Sequence, residues 1–103
     1  MELFDTHLHL SQEQDNHEIV RRAQEAGVRF LLVCAGSYED SLTVSEFARC
    51  HAGTFFAAGV HPHEADGFQY EPSVFDRFTS DPRFCAVGEI GIDTYYSISG
   101  LRK

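Results

Sequence analysis

Tryptophan is absent, methionine occurs only at position 1, and no apolar run approaches the roughly 20 residues a membrane span requires. The longest such runs, Phe30 to Ala35 and Phe55 to Val60, are far shorter, so no membrane-crossing segment is expected. Positive charge is also scarce. Eight Lys and Arg stand against sixteen Asp and Glu, giving a net charge of −8 with histidine neutral. That balance excludes a basic module that holds nucleic acid by tracking phosphates. Cysteine is sparse and odd in number: Cys34, Cys50 and Cys85 form no CxxC pair. A disulfide frame and a zinc knuckle are therefore excluded, and all three are read as reduced, small packing residues. Phosphate-cradling glycine patterns of the GxGxxG or Walker type are missing, which argues against a nucleotide cofactor. The opening Met1-Glu2-Leu3-Phe4-Asp5 has no basic stretch before its apolar residues, so it does not read as a secretory signal, and a cytoplasmic location is expected.

What remains is the composition of a folded protein. With 43% hydrophobic and 23% charged residues, the 103-residue chain has material for one small domain with a core. Four short runs read as strands: Leu3 to His7, Arg29 to Ala35, Thr54 to Val60 and Phe84 to Ile90. The second and third are nearly continuous apolar runs, the pattern of strands buried on both faces in a parallel sheet.

Helical signals fill the gaps. Asp15 or Asn16 can cap a helix with apolar Ile19, Val20, Ala23 and Ala26, and Gly27 ends it. Ser37 and Asp40 open a second helix through Leu42, Val44, Phe47 and Ala48, with His51 and Gly53 closing it. A third is expected from about Pro72 to Ser80, ahead of Asp81-Pro82. The order is β-α-β-α-β-α-β, with strands starting about 25 to 30 residues apart, the length of one βα unit. An open doubly wound sheet and an eight-unit barrel share this period.

Polar residues gather where the strands end. Asp5-Thr6-His7-Leu8-His9 closes the first strand, His61-Pro62-His63 follows the third, and Glu89 and Asp93 lie in Gly88-Glu89-Ile90-Gly91-Ile92-Asp93 at the end of the fourth. All carboxyl ends of a parallel βα sheet lie on one side, so these segments converge. The two-residue spacing of His7 and His9 puts both imidazoles on one side of an extended chain, with Leu8 turned the other way. Two imidazoles and the Glu89 carboxylate suit zinc, manganese or a similar divalent ion. His61 and His63 are read as substrate contacts or as support behind the ligands. Asp5 is expected to accept a hydrogen bond from a histidine or to cap its loop, and Asp93 to serve its own loop. Tyr95 and Tyr96 line a cleft or pack over the sheet end, and His17 and His51 are solvated helix-end residues without an assigned function.

Three segments standing in order, Phe4-Asp5-Thr6-His7-Leu8-His9-Leu10, Gly59-Val60-His61-Pro62-His63 and Val87-Gly88-Glu89-Ile90-Gly91-Ile92-Asp93, resemble the TatD-type metal-dependent deoxyribonucleases, amidohydrolase-like TIM barrels. The resemblance runs from residue 3 to about residue 96. Leu8 stands where that family often has cysteine, and Ile92 and Thr94 also depart from its commonest spelling. The resemblance implies a (β/α)8 barrel with one or two divalent ions (Zn, Mn or Mg) and hydrolysis of phosphodiester bonds, commonly at DNA ends. His7, His9 and Glu89 match the family's metal ligands, and Glu89 matches a carboxylate that can bridge two ions. His61 and His63 match a motif near the substrate pocket.

Further histidine ligands and a catalytic aspartate belong to the second half of the family's barrel. Residues 1–103 are accordingly expected to be its N-terminal part, about half of the barrel, and to be inactive alone. Two alternatives accompany this reading: a non-catalytic remnant that self-associates through its open edges, and a metal-dependent amidohydrolase or phosphatase acting on a small molecule. A flavodoxin-like binding module explains the period but not the gathered histidines.

Overall fold

The computed structural model describes residues 2–69 and 73–93. Pro72, Tyr95 and Tyr96, singled out above, lie outside them. Strand β1 (Leu3–Leu8) is followed by helix α1 (Asn16–Glu25), β2 (Val28–Cys34), α2 (Tyr38–Arg49), β3 (Thr54–Ala58), a 3-10 helix (Pro62–Gly67), α3 (Asp76–Thr79) and β4 (Phe84–Val87). The helix starts follow local chemistry. The side chain of Asp15 accepts the Glu18 amide and that of Ser37 accepts the Asp40 amide, each satisfying a donor that an α-helix leaves open in its first turn.

All strand pairings are parallel, in the order β1-β2-β3-β4. This order separates the two architectures that share the βα period. A doubly wound sheet reverses direction and places helices on both faces, whereas a sheet advancing steadily with right-handed crossovers places every helix on one face. Val20 of α1, Val44, Phe47 and Ala48 of α2 and Phe78 of α3 all join one cluster with Leu31 and Val33 of β2 and Phe56 and Ala58 of β3. The three βα units and the fourth strand thus have the arrangement of part of a (β/α)8 barrel.

The opposite face is the one a closed barrel would turn inward. Phe4, Phe30 and Phe55 meet there with ring centroids 5.7 to 6.4 Å apart. Phe30 and Phe55 are half-buried while Phe4, Val87, Ile90 and Ile92 are exposed, so the continuous apolar runs are not sealed on both faces among the described residues.

Other expectations need correction. The fourth strand ends at Val87, two residues before Glu89, and the third ends at Ala58. Among the described residues the third helix is a single turn from Asp76, because residues 73–75 form a turn. Only Cys34 is buried; Cys50 caps the end of α2 and Cys85 faces outward on β4, and both are exposed. Ala26, assigned to the apolar face of α1, is the exposed residue that caps its end.

Candidate metal centre

The first strand carries an irregularity that serves the site. Asp5 pairs with Leu31 and Leu8 with Val33, so three steps along β1 match two along β2. An extra residue of this kind is a β-bulge, which re-aims the side chains after it. Phe4, paired with Phe30, belongs to the open face, yet Leu8, four residues on, packs against the helix-side core. The alternation of an extended chain then sends the residues flanking Leu8 to the other side. There the Nε2 atoms of His7 and His9 approach to 2.8 Å. Asp5 Oδ1 accepts the backbone amide of His7 at 3.0 Å, which fixes the bulged turn.

Glu89 completes the group. Its Oε1 lies 3.9 Å from His7 Nε2 and its Oε2 3.8 Å from His9 Nε2, so each carboxylate oxygen faces a different imidazole. One ligand atom from each of the three residues falls within 4.8 Å of the others, and among the described residues this is the one group of three or more His, Cys, Asp or Glu so placed. Metal–ligand bonds of about 2.0 to 2.2 Å put neighbouring ligand atoms roughly 3 to 3.4 Å apart. The observed separations bracket that range, so the three residues fit a divalent ion after small side-chain adjustments. Both imidazoles are more than half exposed and the carboxylate is about one-third exposed, which leaves room for water or substrate. Burial, and then the Glu89 carboxylate, push the Cys34 thiol up from its ordinary value.

A second constellation stands beside the first. Pro62 opens the 3-10 helix, and the His61 side chain caps it by accepting the His63 amide at Nδ1, 3.1 Å away. The His61 amide donates to the Gly36 carbonyl at 2.9 Å, tying the exit of β3 to that of β2. His63 Nε2 meets Asp93 Oδ2 at 2.7 Å, with the carboxylate largely buried. His61 and His63 line a hollow with Gly36, Ser37, Asp40 and Glu64. The structure therefore separates the sequence-predicted residues into a triad of His7, His9 and Glu89, a His61–His63–Asp93 chain, and Asp5 beneath the triad.

Residues 4–103 match the family model described as TatD related DNase. The chain belongs to this TatD family. It is 38% identical over 95 residues to a protein named 3'-5' ssDNA/RNA exonuclease TatD from Cronobacter turicensis, a match covering 88% of this chain and 36% of the relative. Proteins of the same name from Cronobacter sakazakii (35% identity, 88% and 36% coverage) and Pantoea vagans (31%, 94% and 39%) are similar in the same way. The chain spans little more than a third of the length of these relatives.

In this TatD-family chain, two positions at the site have no role assigned from the sequence: Gly59, which stands there only as the first residue of a motif, and Ser41. A Cβ at Gly59 would lie 2.6 Å from the Glu89 carbonyl oxygen, and Ser41, fully buried on α2, hydrogen-bonds the Gly59 backbone. A serine on a helix and a glycine after a strand have commonplace explanations in a sequence, and only the fold brings them together.

His17 and His51 also gain partners. His17 Nδ1 and His51 Nε2 lie 2.6 Å apart, and both rings pack against Phe47. Burial, and then the neighbouring His17, lower the His51 pKa from the usual histidine value. The unfolded chain consequently takes up a proton as the pH falls through that value, while the folded chain resists until lower pH. The contribution of His51 to stability is therefore lost as the pH falls below the usual histidine range. In His51→Gln the urea midpoint should change less over this fall in pH than in the parent chain.

Proposed function

We propose that this chain supplies part of the metal centre of a phosphodiester hydrolase acting on nucleic-acid ends. The observation carrying this reading is the closeness of His7, His9 and Glu89, drawn from the carboxyl ends of the first and fourth strands to within 4.8 Å. The names of the relatives, ssDNA/RNA exonucleases, agree with it. The three βα units and the fourth strand form the N-terminal part of a barrel in this proposal, and their open face is its interior.

His7 and His9 would hold the ion through their imidazole nitrogens, and the Glu89 carboxylate would offset part of its charge. A divalent ion bound there supplies Lewis acidity toward a phosphoryl oxygen and acidifies a water. Asp5 keeps the first two ligands aligned by fixing the His7 amide. His61, with the ring of His63 held by Asp93, is placed to meet the nucleic acid at the rim. Without an ion, a chain of net charge −8 repels a polyanion. A bound divalent ion would supply the positive charge that a phosphate needs there, with zinc, manganese and magnesium as the candidates. The acid–base step is assigned to residues outside this chain, so residues 1–103 alone bind metal and nucleic acid without turnover.

Fluorescence anisotropy of a 5'-labelled single-stranded oligonucleotide tests this. Binding is expected in millimolar Mn2+, absent in EDTA, and lost in Glu89→Ala. Equal binding in EDTA would overturn the metal reading. Displacement of the oligonucleotide by an equal concentration of a small phosphomonoester would favour the small-molecule phosphatase instead.

A further inference from the structure

The main chain carrying Glu89 is held from three directions. Its amide donates to the Ala35 carbonyl at 2.8 Å, and the preceding Gly88 amide donates to the Ala58 carbonyl at 3.0 Å. The third contact is steric. Gly59 is buried and packs so closely that a Cβ there would stand 2.6 Å from the Gly88 carbonyl carbon, 2.6 Å from the Glu89 carbonyl oxygen and 2.7 Å from the Gly88 carbonyl oxygen. All three atoms are backbone, so no side-chain rotation relieves the overlap.

Gly59 is itself clamped. The Ser41 hydroxyl accepts the Gly59 amide at 3.1 Å, and its own proton lies between the carbonyls of Ser37 (2.9 Å) and Gly59 (3.4 Å). Ser41 is fully buried and sits in the first turns of α2, whose N-cap is Ser37. A continuous path thus runs from the helix start through a hydroxyl to Gly59, and from Gly59 by direct packing to the peptide that bears the carboxylate.

We propose that Gly59, fixed by Ser41, is a positioning residue that sets the depth at which the Glu89 carboxylate meets His7 and His9. The inference rests on the reading of Glu89 as a metal ligand. Relieving contacts of 2.6 Å requires movement on the order of half an ångström or more, which is the tolerance within which a ligand constellation must be held. Residues that orient metal ligands typically change affinity by about 10- to 100-fold when altered.

The experiment is a double-mutant cycle read by the visible absorption of Co2+ titrated into the 103-residue chain. Gly59→Ala is expected to weaken Co2+ binding by about 10-fold, and Ser41→Ala, which strands the buried Gly59 amide, by about 3- to 10-fold. Both penalties should vanish in the Glu89→Ala background, because neither residue touches His7 or His9. A penalty that persists undiminished in that background would overturn the proposal, as it would mark general loosening of the fold. Unchanged affinity in both single variants would also overturn it while leaving Glu89 as a ligand. Should Glu89→Ala bind Co2+ as tightly as the parent chain, the metal assignment itself fails, a different result from either. If far-UV circular dichroism shows Gly59→Ala unfolded, the Ser41→Ala arm of the cycle decides the question by the same criteria.

Discussion

Replacing Glu89 with alanine should weaken divalent-metal binding by on the order of 100-fold, at or beyond the upper end of the range for residues that merely orient ligands. Glu89 is the carboxylate of a triad whose other members are imidazoles, so its loss would remove both a donor atom and the charge that would offset a bound ion's own. His7→Ala and His9→Ala should each produce a loss of similar size. His61→Ala and His63→Ala should remain within about threefold of the parent, because neither residue is in the group whose ligand atoms lie within 4.8 Å. Calorimetric titration with Mn2+ or Zn2+ checks the set. A loss in His61→Ala matching that in His9→Ala would enlarge the centre and require His61 to swing inward.

The second large effect concerns the fold. Phe56 is fully buried on the helix side of β3, with its ring 5.9 Å from that of Phe78 and 5.6 Å from that of Phe84. Truncating such a side chain removes transfer free energy and leaves a cavity, together costing about 3 to 5 kcal/mol. A domain of this size has roughly 5 to 15 kcal/mol in total. Phe56→Ala should therefore lose a large share of its stability and melt at least 10 °C lower. Phe4→Ala provides the contrast. Phe4 is 50% exposed on the open face, and its truncation should cost no more than about 1 kcal/mol in urea unfolding. Equal costs for the two would contradict a core confined to the helix side.

Much of this architecture is readable from the residues. Asp15 and Ser37 announce their helices because a short polar side chain beside an apolar periodic run has one common use, satisfying open amides. The strand period and the clustering of His7, His9 and Glu89 at strand ends are likewise visible, since parallel βα units leave their carboxyl ends on one side. Strand order is not visible in this way. The period of β and α elements is the same in doubly wound sheets and barrels, and it is the pairing of β2 with β3 and of β3 with β4 that distinguishes them. The bulge between Asp5 and Leu8 is also hidden, because it exists only relative to β2. Simple alternation makes His7 and His9 neighbours but does not say which face they take. Gly59 is hidden for a related reason: its significance depends on a peptide nearly thirty residues away.

The strand order has a consequence for how the chain assembles. Every described strand pairs with the strands before and after it in sequence, so within these four strands none waits for a distant one to be made. Short sequence separations between partners keep loop-closure entropy small and favour rapid folding. Each βα unit can dock as it leaves the ribosome, and the array grows from one end like a solenoid in which each repeat leans on its neighbour. In that sequence of events His7 and His9 are in place from the first strand, and the carboxylate that joins them arrives only with the fourth. Metal affinity should then appear as a single step when Glu89 docks against Gly59.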